Sequence, residues 1–381
     1  MSGIYVHVPF CRTACHYCDF HFSTSLLKID SYVEALLKDV ELRCKNPDWG
    51  GLEFQTLYFG GGTPSVLSSD ALKAIVAKIS ESFKTNVFLE TTIEVNPEDV
   101  TRQALEGWRI AGFNRLSIGV QSFCDAQLKW MNRKHSGKEA LAAVALAKDA
   151  GFERISIDLI YGLPQFDMAW EQTVDIALGL PIDHISCYAL TVEPKTVLGS
   201  RVAKGLETEM PDERVEKDYR YICDAANSKG FDHYEVSNWA RGKSGRAIHN
   251  TGYWSGDPYL GLGAGSHGFV GGKRYAVVSN NPKYIAALNA DKLPLTEEVL
   301  SNRDRCNESL MTGLRTASGV NFEDLEKRWG HNPAKHNQAL FNKWVLEGGL
   351  VQDSQNPGSV FRIPEAKWLI GDRIASDLFV T

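Results

Sequence analysis

Cys11, Cys15 and Cys18 stand in the spacing C-x3-C-x2-C, on a loop that directly follows an apolar run from Ile4 to Phe10. Thiolates so placed can hold three corner irons of a [4Fe–4S] cube, a cluster that ordinarily takes four cysteine ligands. No fourth follows, because Asp19 and Phe20 come next. One iron is thereby left open to a ligand that is not protein. The competing chemistry is a structural zinc ion, with His7, His16 or His21 completing the set. Zinc sites, however, usually draw four ligands from two separated pairs.

Further chemistry-bearing residues sit where other apolar runs end. Gly60-Gly61-Gly62-Thr63-Pro64 follows Thr56–Phe59. Consecutive glycines let a backbone approach a ligand closely and expose its N–H and C=O groups. A tight strand-to-helix turn is the plain alternative. Glu94 closes one run and Gln121 another, and each could bind a ligand or cap a loop. Arg133, in Asn132-Arg133-Lys134-His135, could grip a carboxylate through a bidentate fork or be a solvated charge. Asp158 lies inside the apolar stretch Ser156–Pro164. A lone charge there is costly without a partner, so a buried ion pair competes with a ligand role.

A last constellation is His249-Asn250-Thr251-Gly252-Tyr253-Trp254. A neutral imidazole is a good axial ligand for haem iron, and Tyr253 and Trp254 offer flat apolar surface to a porphyrin. Asn250 could orient the histidine or bond a propionate. The alternative is a histidine satisfied in a packed loop beside two core aromatics. His267 is a second candidate ligand.

The elements that must position these residues alternate. Strand-like runs occur at 4–9, 54–59, 90–95, 114–120, 154–161 and 184–190. Helical spacing marks 30–44 (Tyr32, Val33, Leu36, Leu37 and Val40, opened by Asp30 or Ser31), 69–83, 99–111, 137–150 and 168–179. Six βα units in series predict a parallel sheet with right-handed crossovers, whose ligands bind at the carboxyl ends of the strands. Beyond Thr191 a helix is expected at 211–229, and short strands at 233–237 and 273–278. Helices follow near 301–316, 321–329 and 335–347, then a turn-rich piece at 348–363 and a last helix near 364–379. The expected division is 1–210, 211–294 and 295–381, the last a small, mainly helical, winged-helix-like module.

The 381 residues are 43 % hydrophobic and 23 % charged, with net charge −6. That profile fits a soluble globular chain, and the lack of a basic block argues against nucleic-acid binding. No apolar run reaches the roughly 20 residues needed to span a bilayer, and no signal peptide is expected. Cys44, Cys124, Cys187, Cys223 and Cys306 are scattered singly. They read as buried free thiols in a reducing, cytoplasmic setting.

The three-cysteine loop resembles that of the radical S-adenosylmethionine (radical SAM) superfamily, in which the open iron chelates SAM. The six units match the partial (β/α)6 barrel of those proteins. Tyr5-x-His7-x-Pro9-Phe10-Cys11, the GGGTP turn, Glu94-Val95-Asn96-Pro97, Gly119–Ser122, Asn132-Arg133-x-His135 and Asp158–Pro164 together resemble the coproporphyrinogen III dehydrogenase (HemN) lineage of porphyrin biosynthesis. The resemblance runs from Tyr5 to the final helix. It implies SAM contacts from Tyr5, Tyr17, Gly61, Gly62, Thr63, Glu94, Gln121, Arg133, Asp158 and Ala189, and cluster ligation by the three cysteines.

Within the lineage three features favour the haem-chaperone branch, HemW. The dehydrogenase carries another cysteine where Phe20 stands. It has a long extension before the cluster strand, which here begins at residue 4. The segment His249–Trp254 matches the HNxxYW signature of the chaperone. The Tyr259–His267 stretch also resembles that branch but discriminates less. This branch implies haem as a ligand, with His249 in its site, and acceptor haem proteins as partners, such as membrane respiratory enzymes met peripherally. The alternative is SAM-dependent oxidative decarboxylation of coproporphyrinogen III, with an electron donor such as flavodoxin. A chain that uses cluster and fold only structurally is a third reading.

Overall fold

The computed structural model describes residues 1–353 and 359–381, excluding 165, 167 and 169. Its frame is a run of parallel strands, β1 (Ser2–Val8), β2 (Phe54–Gly61), β3 (Glu90–Val95), β4 (Arg115–Gln121), β5 (Arg154–Tyr161) and β6 (His184–Ala189), paired in chain order. Between them run α1 (Ile29–Arg43), α2 (Ser69–Ser82), α3 (Arg102–Ile110), α4 (Asp125–Trp130), α5 (Gly137–Asp149) and α6 (Trp170–Leu178). All six expected strands and all five expected helices are present, within a few residues of their expected limits. Their starts are chemically marked. Ser68 and Thr101 accept from Ala71 and Ala104 N–H groups, and Ser136 and Glu139 close a capping box. The strands are buried on both faces, as a helix-covered parallel barrel requires: in β1 every residue but Tyr5 is buried.

After β6 come α7 (Val197–Ala203), α8 (Asp212–Ser228), the hairpin β7 (Asp232–Glu235) and β8 (Asn238–Ala240), α9 (Gly242–Gly245), α10 (Ile248–Ser255), β9 (Tyr259–Leu262), β10 (His267–Val270), β11 (Lys273–Val277), α11 (Asn281–Asn289) and β12 (Leu295–Val299). The hairpin extends the sheet beyond β6. On the other side β9 pairs parallel with β1, and β10, β11 and β12 follow antiparallel. The result is one twelve-stranded sheet with seven parallel strands at its centre. The stretch 295–299 is thus hydrogen-bonded into the barrel's own sheet.

The remainder is α12 (Asn302–Leu314), β13 (Val320–Asn321), α13 (Phe322–Trp329), α14 (Pro333–His336), α15 (Gln338–Leu346), β14 (Val351–Gln352), β15 (Val360–Arg362), a 3-10 turn Glu365–Ile370 and α16 (Gly371–Asp377). The three short strands form a small sheet in the order β13-β15-β14. The C-terminal region is thus mainly helical, as expected. Two expected helices are broken. Pro333 opens a separate short α14 before α15, and the last helix begins as a 3-10 turn behind Pro364.

α1 is anchored to the glycine-rich segment by buried polar groups. Asp39 pairs with Arg43 at 3.2 Å and accepts from Tyr284 Oη and Gly263 N, while Tyr32 Oη donates to His7 O at 2.8 Å. Satisfied in this way, they carry little desolvation penalty.

Candidate functional site

The cluster loop starts where β1 ends. Its stem is fixed by Cys11 N donating to Ser23 O. The far side is clamped by the turn after α4: Asn132 Nδ2 donates to Ala14 O at 2.7 Å, and His16 N to Met131 O at 3.1 Å. Asn132 takes φ +63, which aims its side chain back at the loop.

The GGGTP turn lies against the same stem. Gly62 N donates to Val8 O and Thr63 N to Phe10 O. A Cβ on Gly62 would meet the Phe10 oxygen at 2.7 Å, and one on Gly61, at φ +108, would meet the His7 ring at 2.5 Å. Only glycine permits this approach.

Around the thiols a connected polar set gathers. Thr63 Oγ1 donates to Cys11 Sγ and Arg133 Nη1 to Cys15 Sγ, both at 3.5 Å. Arg133 Nη2 also donates to Asn96 Oδ1 and Gly119 O, and Asn96 Nδ2 donates to Thr63 Oγ1. Arg133 Nε is buried without a partner, a donor still to be satisfied. Tyr17 packs among Leu128, Met131, Ile160, Leu163 and Leu190. Burial pushes the Cys11 thiol up and the Cys18 thiol up to about 11. Iron ligation removes the proton that burial favours.

Further along the strand ends, Glu94 accepts from Tyr58 Oη at 2.7 Å and from Gly61 N at 3.2 Å. Asp158 accepts from Ser117 Oγ. Burial pushes the Glu94 carboxyl up to about 7 and the Asp158 carboxyl up to about 6. Gln121 has φ +65, a strained value at a strand end. Ala189 is the last residue of β6, beside Tyr161. Tyr5 hydrogen-bonds His7 Nδ1 and stacks on Tyr58 inside the barrel.

The donor set fits a cluster better than one zinc ion. Zinc bonds sulfur at about 2.3 Å, which crowds its ligands together. The Cys11, Cys15 and Cys18 sulfurs are not among the described groups whose ligand atoms all lie within 4.8 Å of one another. The nearby imidazoles are engaged elsewhere, His7 with Tyr5 and the His21 carbonyl, His16 with the Trp130 carbonyl, and His21 with Asn281.

His249 lies at the other end of the barrel. α10 packs on the amino ends of β1 and β2, and the N–H groups of Ile248 and His249 donate to the Glu90 carboxylate. Arg115 and Arg154 flank that carboxylate at 3.7 and 3.5 Å. The segment is a helix, not a loop. Both His249 ring nitrogens are engaged, Nδ1 with Thr56 Oγ1 and Nε2 with Tyr253 Oη, each at 2.8 Å. The ring stacks on Tyr58 at 5.1 Å, is buried, and has its pKa lowered to about 3 by that burial. In this arrangement it offers iron no free lone pair. Trp254 is partly buried, with the Arg315 guanidinium over one face of its ring at 5.8 Å. His267 is exposed. It opens β10, at the end of the sheet where β1 delivers the cluster loop.

Sequence reasoning missed Tyr58, Asn96 and Asn132. Tyr58 lies in a strand already read as site-bearing, and Asn96 and Asn132 sit inside quoted motifs, so each signal was present but pointed to a neighbour.

The model of the radical SAM superfamily matches residues 5–177. The heme chaperone HemW of Bacillus subtilis (strain 168) is 34 % identical over 382 residues, covering 98 % of each chain. HemW of Mycobacterium tuberculosis (strain H37Rv) is 37 % identical over 77 % of this chain and 76 % of its own. HemW of Escherichia coli (strain K12) is 34 % identical over 70 % of both. Among solved structures, coproporphyrinogen III oxidase (HemN) from Escherichia coli superposes with a TM-score of 0.84 at 21 % identity, over 99 % of this chain and 90 % of that one. The fold is therefore that of a radical SAM barrel. Within that superfamily the chain belongs to the HemW family.

Proposed function

We propose that the chain is a haem chaperone, binding haem and passing it to acceptor haem proteins. The observation that carries this reading is likeness to a named haem chaperone along 98 % of both chains. Phe20, two residues past the third cysteine and 67 % exposed at the rim of the cluster loop, agrees with it, since the dehydrogenase has a cysteine there.

Cys11, Cys15 and Cys18 would hold the [4Fe–4S] cluster of the radical SAM family. Gly61, Gly62, Thr63, Glu94, Gln121, Arg133, Asp158 and Ala189, with Tyr5 and Tyr17 behind them, would form the SAM pocket. The bound pair would supply one-electron chemistry at the barrel mouth. The chain's own part is to fix the loop, donate to two of its sulfurs from the Thr63 hydroxyl and the Arg133 guanidinium, and keep the Glu94 and Asp158 carboxyls at hand.

For haem, the closed state of His249 favours the exposed His267 as axial ligand. α10 and its aromatics would then brace the barrel foot. Among the described residues no helix is long and apolar enough to cross a membrane. Delivery to membrane respiratory enzymes would be by peripheral docking from the cytoplasm, and flavodoxin would be the donor if SAM is cleaved.

The test is transfer. Haem-loaded full chain is mixed with an apo haem protein and the two are separated by size. The reading predicts haem on the acceptor at rates above those of free haem. Retention of all haem on the chain would count against it.

A further inference from the structure

We propose that Cys223, His233 and Glu365 form a binding site for a thiophilic divalent cation of the zinc type, at the seam between the extended barrel and the C-terminal module. Cys223 comes from α8, His233 from β7, and Glu365 opens the 3-10 turn before α16. The Cys223 sulfur lies 3.8 Å from His233 Nδ1, and a Glu365 oxygen lies 2.5 Å from that same nitrogen. Among the described residues this is the only group of three such side chains whose ligand atoms all lie within 4.8 Å of one another.

The geometry separates a metal site from a nucleophile relay. In a relay the thiol and the carboxylate bond opposite nitrogens of the imidazole. Here both converge on Nδ1. The other nitrogen, Nε2, faces Val236 O at 3.4 Å. A backbone carbonyl in that place fixes the tautomer of a metal-ligating histidine and leaves the opposite lone pair for the ion. The ring is also held in orientation, stacked on Trp239 at 4.0 Å and met edge-on by Trp368 at 4.3 Å.

The donor set defines the ion. One sulfur, one imidazole nitrogen and one carboxylate oxygen suit zinc, whereas magnesium and calcium take oxygen ligands. Cys223 is buried, the His233 side chain is 6 % exposed and that of Glu365 48 %, so the third ligand marks the entry. A fourth position toward solvent is left for water. Without metal the imidazole shares its proton with Glu365. Binding releases that shared proton and the thiol proton to solvent, with Nε2–H kept on the Val236 carbonyl. Because the ligands come from both sides of the seam, the ion would clasp the module to the barrel, independently of the barrel mouth.

The experiment uses the full chain with its cluster reconstituted anaerobically, so that iron occupies Cys11, Cys15 and Cys18. Cobalt(II) is titrated as a spectroscopic stand-in, and zinc affinity is read by competition with a chromophoric chelator. One equivalent of cobalt should give a sulfur-to-cobalt charge-transfer band that is lost in Cys223→Ser. Glu365→Gln, a half-exposed change that spares the core, should weaken zinc binding more than about tenfold with cluster iron unchanged. No band, or a band undiminished in Cys223→Ser, overturns the assignment. Equal zinc affinity in wild type and both variants also overturns it, leaving a histidine–glutamate ion pair beside a thiol.

Discussion

Arg133 Nη1 donates to Cys15 Sγ at 3.5 Å, while Nη2 of the same guanidinium holds Asn96 and the Gly119 carbonyl. One side chain thus ties the cluster loop to the ends of β3 and β4, and its Nε remains buried and unpartnered. A fixed cationic fork with one donor to spare suits an anionic ligand beside the cluster. Arg133→Ala should weaken SAM binding by roughly 1.5–3 kcal/mol, the range for hydrogen bonds to charged groups. Arg133→Lys, a point charge without the fork, should recover only part of the loss. SAM titration followed by the cluster's electron paramagnetic resonance spectrum reads both, and unchanged affinity would remove Arg133 from the pocket.

The cluster assignment separates three thiols from the rest. Cys18→Ala should abolish the iron content and brown colour of reconstituted protein. Cys124, Cys187 and Cys306 are buried, and their single alanine variants should keep full iron. A complete [4Fe–4S] signal in Cys18→Ala would refute the ligand set.

Glu94 sets a pH dependence. Its folded pKa, about 7, lies above the ordinary glutamate value because the group is buried. The folded state then binds the proton more tightly than the unfolded one. Its contribution to stability is fully present below the unfolded pKa and is lost as pH rises from about 4.5 through about 7. The apo chain should lose on the order of 1–3 kcal/mol through this group between pH 5 and pH 8. Glu94→Gln should flatten that part of the profile. Thermal midpoints of both proteins across the range test it, and parallel profiles would contradict it.

The strand-rich half was legible because each parallel strand is a continuous apolar run followed by a polar end, and those polar ends converge. β9 was not, because Tyr259–Leu262 is short and lies in a glycine-rich stretch that reads as loop. Its pairing with β1 is a tertiary contact that no local pattern announces. α10 was missed for a related reason. His249-Asn250-Thr251-Gly252 are poor helix formers, and the helix is held from outside by Glu90 at its amino end and by β1, β2 and α12. His249 looked like an open ligand because sequence shows a residue's type but not whether its nitrogens are already taken.

That closure makes its own prediction. His249→Ala removes a buried ring and leaves the Thr56 and Tyr253 hydroxyls without their partner, a cost of about 2–4 kcal/mol. A lowered thermal midpoint is expected, with haem still bound at matched cluster content. His267→Ala should instead alter the Soret spectrum of bound haem at an unchanged midpoint. The reverse pattern would return the axial role to His249.

The central claim is tested most directly on one anaerobic sample of the reconstituted full chain, titrated with haem and then supplied with coproporphyrinogen III, SAM and reductant. The account predicts saturable haem binding with a shifted Soret band, and no decarboxylated product. Efficient decarboxylation by a chain that binds no haem would contradict it.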